Sequence, residues 1–379
     1  MAGACALAIA TLYYNQPLLP LISVTFGASD YLASLIVMLG QIGYALGLVL
    51  FVPIGDRFDR RRLILSLLLA NTVSLAACVL APEFVYFAVA TFAAGLTTIT
   101  PQIIISTVAG IAAPEQRGRT VGILLCGMSA GLLFGRTASG IVGEIAGWRC
   151  VFALAMLVNL VLVVVIWRLL PFTKPTTWLS YPHLMSSLWR LFVEQPVLRV
   201  ACATGFMAFG AFSALWATLA FLLSQPPYHF GADIVGAFGL VGIVGIFAAP
   251  LVGRVTDRLG ARFMVGAGAV LVVVAFAFVW RGEGALWPLL VGMALIELGY
   301  RGVLIGNQTR IYPLEPGAHS RLNTIFMTCV FLGGAIGSVC GATGAAHWSW
   351  TGVALAGGGL AAIGVVVHLA TVASASAAK

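Results

Sequence analysis

Arg136, Glu297 and Arg301 are the acid and base side chains that stand well inside long apolar runs of this chain. A guanidinium at the middle of a membrane-crossing helix costs roughly 2.5–3.5 kcal/mol on insertion scales, so it must face a partner, water or a ligand. Glu297 and Arg301 are four apart and share one helical face, and Gln308 continues the stripe. Two bases and one acid leave a net positive charge near mid-layer. In one reading Glu297 pairs with Arg301 and Arg136 attracts an anionic or polar substrate. In another, Glu297 bridges to Arg136 and lets go on protonation. The structural alternative is a buried pair, with Arg136 bonded to backbone carbonyls. Burial pushes a carboxyl group toward its neutral form and a nearby guanidinium opposes this, so Glu297 is the candidate for proton coupling.

Uncharged polar residues gather in the same kinds of segment. Tyr13, Tyr14, Asn15 and Gln16 precede Pro17 and Pro20; Gln41 and Tyr44 share a run; Thr97, Thr98, Thr100 and Gln102 surround Pro101; Asn307 and Gln308 follow Arg301. Aromatics beside amides suit a partly apolar ligand. Tyr13, Asn15, Gln16, Gln41, Thr98, Asn307 and Gln308 are therefore cavity candidates with Arg136 and Arg301. The plainer reading of each is a hydrogen bond between helices.

Apolar residues make up 61% of the chain and charged residues 8%. Soluble domains carry about 25% charge, so the solvent here is a lipid bilayer. The 379 residues allow about twelve spans of ~20 residues. We place them at roughly 3–25, 31–53, 63–81, 84–109, 121–144, 150–170, 197–223, 234–252, 263–280, 285–309, 322–344 and 350–370. Residues 171–196, with Pro171, Pro175, Pro182 and Pro196, divide them into 1–170 and 197–379. A short amphipathic helix at an interface is expected near 183–193, an irregular linker being the alternative. The first run lacks a basic lead and is too long for a signal-peptide core.

The net charge of +8 concentrates in alternate loops, including Arg57, Arg60, Arg61, Arg62, Arg117, Arg119, Arg254, Arg258 and Arg262, while Arg149 and Arg281 lie on the other side. This bias places both termini in the cytoplasm of a multi-pass protein of the cell inner membrane. The basicity is thus a topology signal and implies no nucleic acid. The lysines, Lys174 and Lys379, fit no Walker A loop, and neither an HExxH nor a Gly-x-Ser-x-Gly motif occurs. No cofactor or metal is expected, and an enzyme or channel is a remote alternative to a carrier. The seven cysteines form no metal or disulfide framework.

The chain is a tandem repeat of about 200 residues. Asp56 aligns with Asp257, and at a one-residue different offset Pro114, Arg119, Gly131, Gly135 and Trp148 align with Pro316, Arg321, Gly333, Gly337 and Trp350. The loop 55–62 and the loop 253–262 look like the repeated Gly-x-x-x-Asp-Arg-x-Gly-Arg-Arg loops of the major facilitator superfamily. Gly253, Asp257, Arg258, Gly260 and Arg262 match; the first copy keeps Asp56, Arg57, Arg60 and Arg61 but has Val52 and Asp59 at the glycine positions. The fifth span resembles the antiporter pattern of that superfamily at Gly122, Gly131, Gly135 and Gly140, with Arg136 where a proline is usual.

The resemblance implies an all-α integral membrane fold of twelve helices in two pseudo-symmetric six-helix bundles, with spans 1, 4, 7 and 10 lining the cavity. It implies a conformational latch at Asp56 toward the start of span 11 near Arg321, and at Asp257 toward span 5 near Arg119. A carboxylate there would meet the positive end of a helix; Arg57, Arg60, Arg61, Arg258 and Arg262 would extend the latch or only set topology. Gly122, Gly131, Gly135 and Gly140 would let helices pack closely. The expected activity is proton-coupled efflux of a small organic compound by alternating access, from a monomer. The alternative is an importer or facilitator of a polar metabolite.

Overall fold

The computed structural model describes residues 1–111, 116–172, 180–315 and 318–377, without the side chains of 56, 109–110, 117–119 and 372–377. The described chain is helical, with no strand. The first span consists of α1 (Ala2–Ala10) and α2 (Asn15–Phe26), the second of α3 (Asp30–Arg57) and the third of α4 (Arg60–Leu80). The fourth comprises α5 (Phe84–Thr97) and α6 (Thr100–Ile111), the fifth α7 (Arg117–Ala146) and the sixth α8 (Trp148–Leu169). After α9 (Tyr181–Glu194) come α10 (Pro196–Trp216) with α11 (Leu219–Ser224), then α12 (Ala232–Ala237) with α13 (Ile243–Leu259). Next are α14 (Ala261–Trp280) and α15 (Leu286–Ile311). The final helix, His319–Ala377, breaks at Trp348 and Ser349 into α16 (319–347) and α17 (350–377). Eleven described helical stretches are long and apolar enough to cross a membrane, and the last contains that break, so the spans number twelve. Helices satisfy every backbone group within the segment, which is the condition for crossing lipid.

Four spans are interrupted, and the causes differ. Pro17 has no N–H to offer the Tyr13 carbonyl. Ahead of it the bonds tighten: Leu12 N donates to Ile9 O at 3.2 Å and Tyr13 N to Ala10 O at 2.9 Å. Pro101 acts likewise between α5 and α6, where Thr98 N donates to Gly95 O at 3.2 Å. No proline lies between α10 and α11. There the Thr218 hydroxyl donates to the Ala214 and Leu215 carbonyls at 2.9 and 3.1 Å, the back-bonding that bends helices. Between α12 and α13, Phe238–Gly242 winds as a 3-10 helix.

The chain divides into two compact units. The first is Met1–Ser186 with Phe230–Leu240; the second is Ser187–His229 with Val241–Lys379. The short α12 is held in the first unit by specific bonds. Glu144 Oε2 accepts from Ala232 N at 2.8 Å, supplying a carboxylate to an uncapped helix start. Thr137 Oγ1 donates to the Gly236 carbonyl at 3.0 Å. A buried tryptophan opens the sixth helix of each repeat. Trp148 packs against Phe87 and Phe152 and donates to Thr25 Oγ1 at 2.9 Å. Trp350 packs against Tyr228, whose hydroxyl donates to the Gly282 carbonyl at 2.5 Å. In α9, Leu184, Leu188 and Leu191 are buried while Trp189, Arg190 and Val193 are exposed.

Candidate functional site

In the first unit the structure brings together Arg136, Gln16 and Tyr13. Arg136 is fully buried on α7; its Nε donates to Gln16 Oε1 at 2.7 Å and its guanidinium lies 5.0 Å from the Tyr13 ring centre. Both contacts come from the interruption of the first span, which turns a side-chain amide and an aromatic face toward the cation. Two glycines approach the stem of the same residue. A Cβ on Gly236 would lie 2.7 Å from the Arg136 carbonyl oxygen, and one on Gly239 3.0 Å from Arg136 Cβ. Gly236 on α12 and Gly239 just after it thus let this segment lie directly against the backbone of α7 at Arg136. Asn15 is also buried, and its Oδ1 has no hydrogen-bond partner among the described residues. Gln41 is buried on α3.

Thr98 belongs to a different cluster. Its hydroxyl lies 3.0 Å from that of Thr11, accepts from Asn71 Nδ2 at 3.0 Å and donates to the Ala94 carbonyl at 2.7 Å. Asn159 Nδ2 in turn donates to Asn71 Oδ1 at 2.6 Å. This knot joins spans 1, 3, 4 and 6, and it takes up the hydrogen-bonding capacity of Thr98. Asn71 and Asn159 escaped the sequence reading, although an asparagine amid leucine and valine is the signal that would have found them.

In the second unit, Glu297 and Arg301 meet α13 at one point. A Cβ on Gly245 would lie 3.0 Å from Glu297 Oε2 and 3.3 Å from Arg301 Nε. Glu297 is buried, and Arg301 Nε has no hydrogen-bond partner among the described residues. Beside them stands an aromatic wall that the sequence reading missed. Tyr300 lies 5.2 Å from Phe209 and 5.5 Å from Phe212, and Phe331 lies 5.1 Å from Phe209, between ring centres. Phe209, Phe212 and Trp216 recur at helical spacing, which was the available clue.

Asn307 and Gln308 serve helix joints. Asn307 Nδ2 donates to Thr204 Oγ1 at 2.9 Å, linking α15 to α10, and Gln308 Nε2 donates to Asn323 Oδ1 at 3.2 Å, linking α15 to α16. The first unit thus offers a buried cation beside an amide and a phenol. The second offers a carboxyl group and a guanidinium beside apolar rings.

Comparison with known proteins matches this architecture. The family model of the Major Facilitator Superfamily matches residues 1–310 and 237–377. The chain is 36% identical over 367 residues to "Uncharacterized transporter YgaY" of Escherichia coli O157:H7, covering 97% of this chain and 93% of that protein. It is 30% identical over 360 residues to "Probable transporter SCO4007" of Streptomyces coelicolor, covering 95% and 84%. The chain belongs to the Major Facilitator Superfamily. Among solved structures, a peptide transporter of the POT type in complex with alafosfalin superposes with a TM-score of 0.77 at 15% identity, covering 99% of this chain and 93% of that one. The human organic anion transporter MFSD10 does so with a TM-score of 0.74 at 18% identity, covering 97% and 98%. The protein is therefore a multi-pass membrane transporter and not an enzyme.

The two superfamily loops are closed differently. In the first, Asp59 takes the place of glycine with φ −61 and accepts from Arg61 N at 3.0 Å, so it caps α4. Arg62 lies 3.8 Å from the same carboxylate. Arg60 donates to the carbonyls of Gly55 at 2.9 Å and Ser106 at 3.1 Å, tying the end of α3 to α6. Arg61 donates to the Trp167 carbonyl and lies over the Phe172 ring. Arg57 is exposed, with Phe58 beneath it. In the second loop Gly260 turns the chain at φ 89, a conformation that needs glycine, while Asp257, Arg258 and Arg262 are exposed. The side chains of Asp56, Arg117 and Arg119 lie outside the described residues, as do residues 316–317.

The superfamily's small residues form a ladder in each unit. A Cβ on Gly131 would strike the Ala6 carbonyl, one on Gly135 would lie 2.8 Å from Ala10 Cβ, and one on Gly140 would strike the Ala232 carbonyl. Gly122 is the correction to the expected packing set: nothing among the described residues lies within 4 Å of a Cβ there, and it precedes the stretch where α7 meets α1. Gly127, which the sequence reading passed over, extends the ladder toward Ala2. In the second unit Gly333, Gly337 and Gly341 meet the carbonyls of Phe206, Gly210 and Ala214 in the same manner.

Proposed function

We propose that this transporter is a proton-coupled exporter of small organic compounds that combine an anionic or polar group with an apolar part. The observation that carries the reading is Arg136, fully buried and oriented by Gln16 and Tyr13 at the interruption of the first span. A guanidinium fixed in this way presents planar donors to a carboxylate or similar group. The Tyr13 ring beside the guanidinium suits the apolar part. Glu297 is the group assigned to the proton. Export is supported by a relative from Pasteurella multocida named "Probable sugar efflux transporter", 24% identical over 323 residues, covering 84% of this chain and 78% of that protein. The charge bias of the loops supports a cytoplasmic position for both termini. In this scheme Asp56 and Asp257 act as conformational latches within alternating access.

Substrates would be found by growth-inhibition and metabolite-accumulation screens in a deletion strain. The decisive measurement is then transport in proteoliposomes. Glu297→Gln should abolish uptake driven by a pH gradient and leave substrate exchange at equal pH intact. Full gradient-driven transport by that variant would remove Glu297 from coupling.

A further inference from the structure

Three basic side chains converge in the second unit where α14 begins, α15 ends and α17 passes by. Arg262 acts electrostatically on Arg310, and both act on His368. The helix contacts explain the convergence. A Cβ on Gly306, one turn before Arg310, would lie 3.0 Å from the Ala261 carbonyl, so α15 meets the first turn of α14. A Cβ on Gly266 would lie 2.8 Å from His368 Nε2, so the imidazole rests on α14 one turn beyond Arg262, on the same face. His368 is only 7% exposed, and its Nδ1 has no hydrogen-bond partner among the described residues. Among the described residues neither arginine forms an ion pair, and Arg310 donates to Asn307 Oδ1 at 3.5 Å.

Like charges gathered without a paired carboxylate among the described residues call for an anion. The start of α14 adds to this, because Gly260 provides no side-chain cap and leaves amides directed outward. Apolar side chains identify the kind of anion. Phe263, next to Arg262 on α14, and Val366 and Leu369, on either side of His368 on α17, are exposed. A free anion has no use for such a border, whereas an amphiphile does. We propose that Arg262, Arg310 and His368 bind the phosphate headgroup of an anionic phospholipid, with its acyl chains along α14 and α17. Arg262 would then serve a lipid contact within the second unit, a role separate from the transport site.

The test is thermal unfolding of the purified full chain in detergent, with dioleoyl phosphatidylglycerol, dioleoyl phosphatidylcholine or sodium phosphate added. Phosphatidylglycerol should raise the Tm by about 3 °C, and the other two should leave it unchanged. Arg262→Gln, at an exposed position, and the double variant Arg262→Gln/Arg310→Gln should lose at least half of the rise. Arg254→Gln, an exposed arginine of α13, should retain it. His368→Phe keeps a ring against Gly266 but removes both nitrogens, and it too should reduce the rise. An undiminished rise in the double variant would overturn the assignment. An equal rise with sodium phosphate would also overturn it, since the ligand would then be a soluble anion.

Discussion

The two repeats share a scaffold and differ in chemistry. Each packs its fifth helix onto its first through a ladder of small residues, and each buries a tryptophan at the start of its sixth. Yet the first unit places its buried charge on α7 against an interrupted helix, while the second places an acid and a base on the uninterrupted α15. The lesson is that the ladder fixes backbone geometry, which tolerates no variation, and leaves facing side chains free to diverge. The loops show the same division: one turn is closed by an aspartate cap, the other by a glycine with positive φ.

The largest effect should come from breaking the shared part. Gly131→Val and Gly337→Val should each abolish recovery of monodisperse protein, because an added side chain meets backbone carbonyls that have no room to yield. Gly122→Val should be recovered normally. Fluorescence-detected size exclusion would check all three, and normal recovery of Gly337→Val would show that the second ladder bears less of the packing than the first.

Next in size are the divergent charges. Arg136→Ala should reduce transport about tenfold or more, the scale of a lost hydrogen bond to a charged group. Arg136→Lys should restore it only in part, because the planar fork is lost. Gln16→Ala should cost less than Arg136→Ala, since the cation remains. The reverse order, measured at matched expression, would make Gln16 the ligand contact.

These sites were unequally legible in the sequence. Arg136, Glu297 and Arg301 stood out because charge within an apolar run is costly and therefore informative. The prolines at 17 and 101 marked two of the four interruptions. Those near Thr218 and within Phe238–Gly242 carry no proline and depend on side-chain bonding and on contact with distant helices. The attachment of α12 to the first unit rests on Glu144 and Thr137, residues far away in sequence. Pattern within a segment cannot reveal such partners. The aromatic wall was hidden for another reason: phenylalanine is common in lipid-facing positions, and only the neighbours distinguish the two uses.

The loops provide smaller tests. Gly260→Ala forces a side chain into a conformation costing roughly 1–3 kcal/mol. Asp59→Ala removes a cap worth about 0.5–2 kcal/mol. Both should lower the thermal midpoint, the glycine variant more. Smallest is the latch. Asp56→Asn should slow transport and increase labelling of introduced cysteines, and Asp257→Asn should do so less, because the first loop carries more arginines. Equal defects would mean that the two turns, closed differently, play equivalent parts.

The attachment of Phe230–Leu240 to the first unit has a consequence for biogenesis. The chain leaves that unit after Ser186 and returns to it at Phe230. The first bundle is thus incomplete when its own repeat has been translated. At about 5–20 residues per second, the ribosome needs roughly 3–10 s more before Leu240 is available. During that interval Gly140 lacks α12 against it, and the glycines that lie on the Arg136 carbonyl and Cβ are missing. A nascent first repeat must therefore hold α7 in the bilayer with a strip of glycine backbone uncovered, and the membrane insertase is the natural place for it to wait.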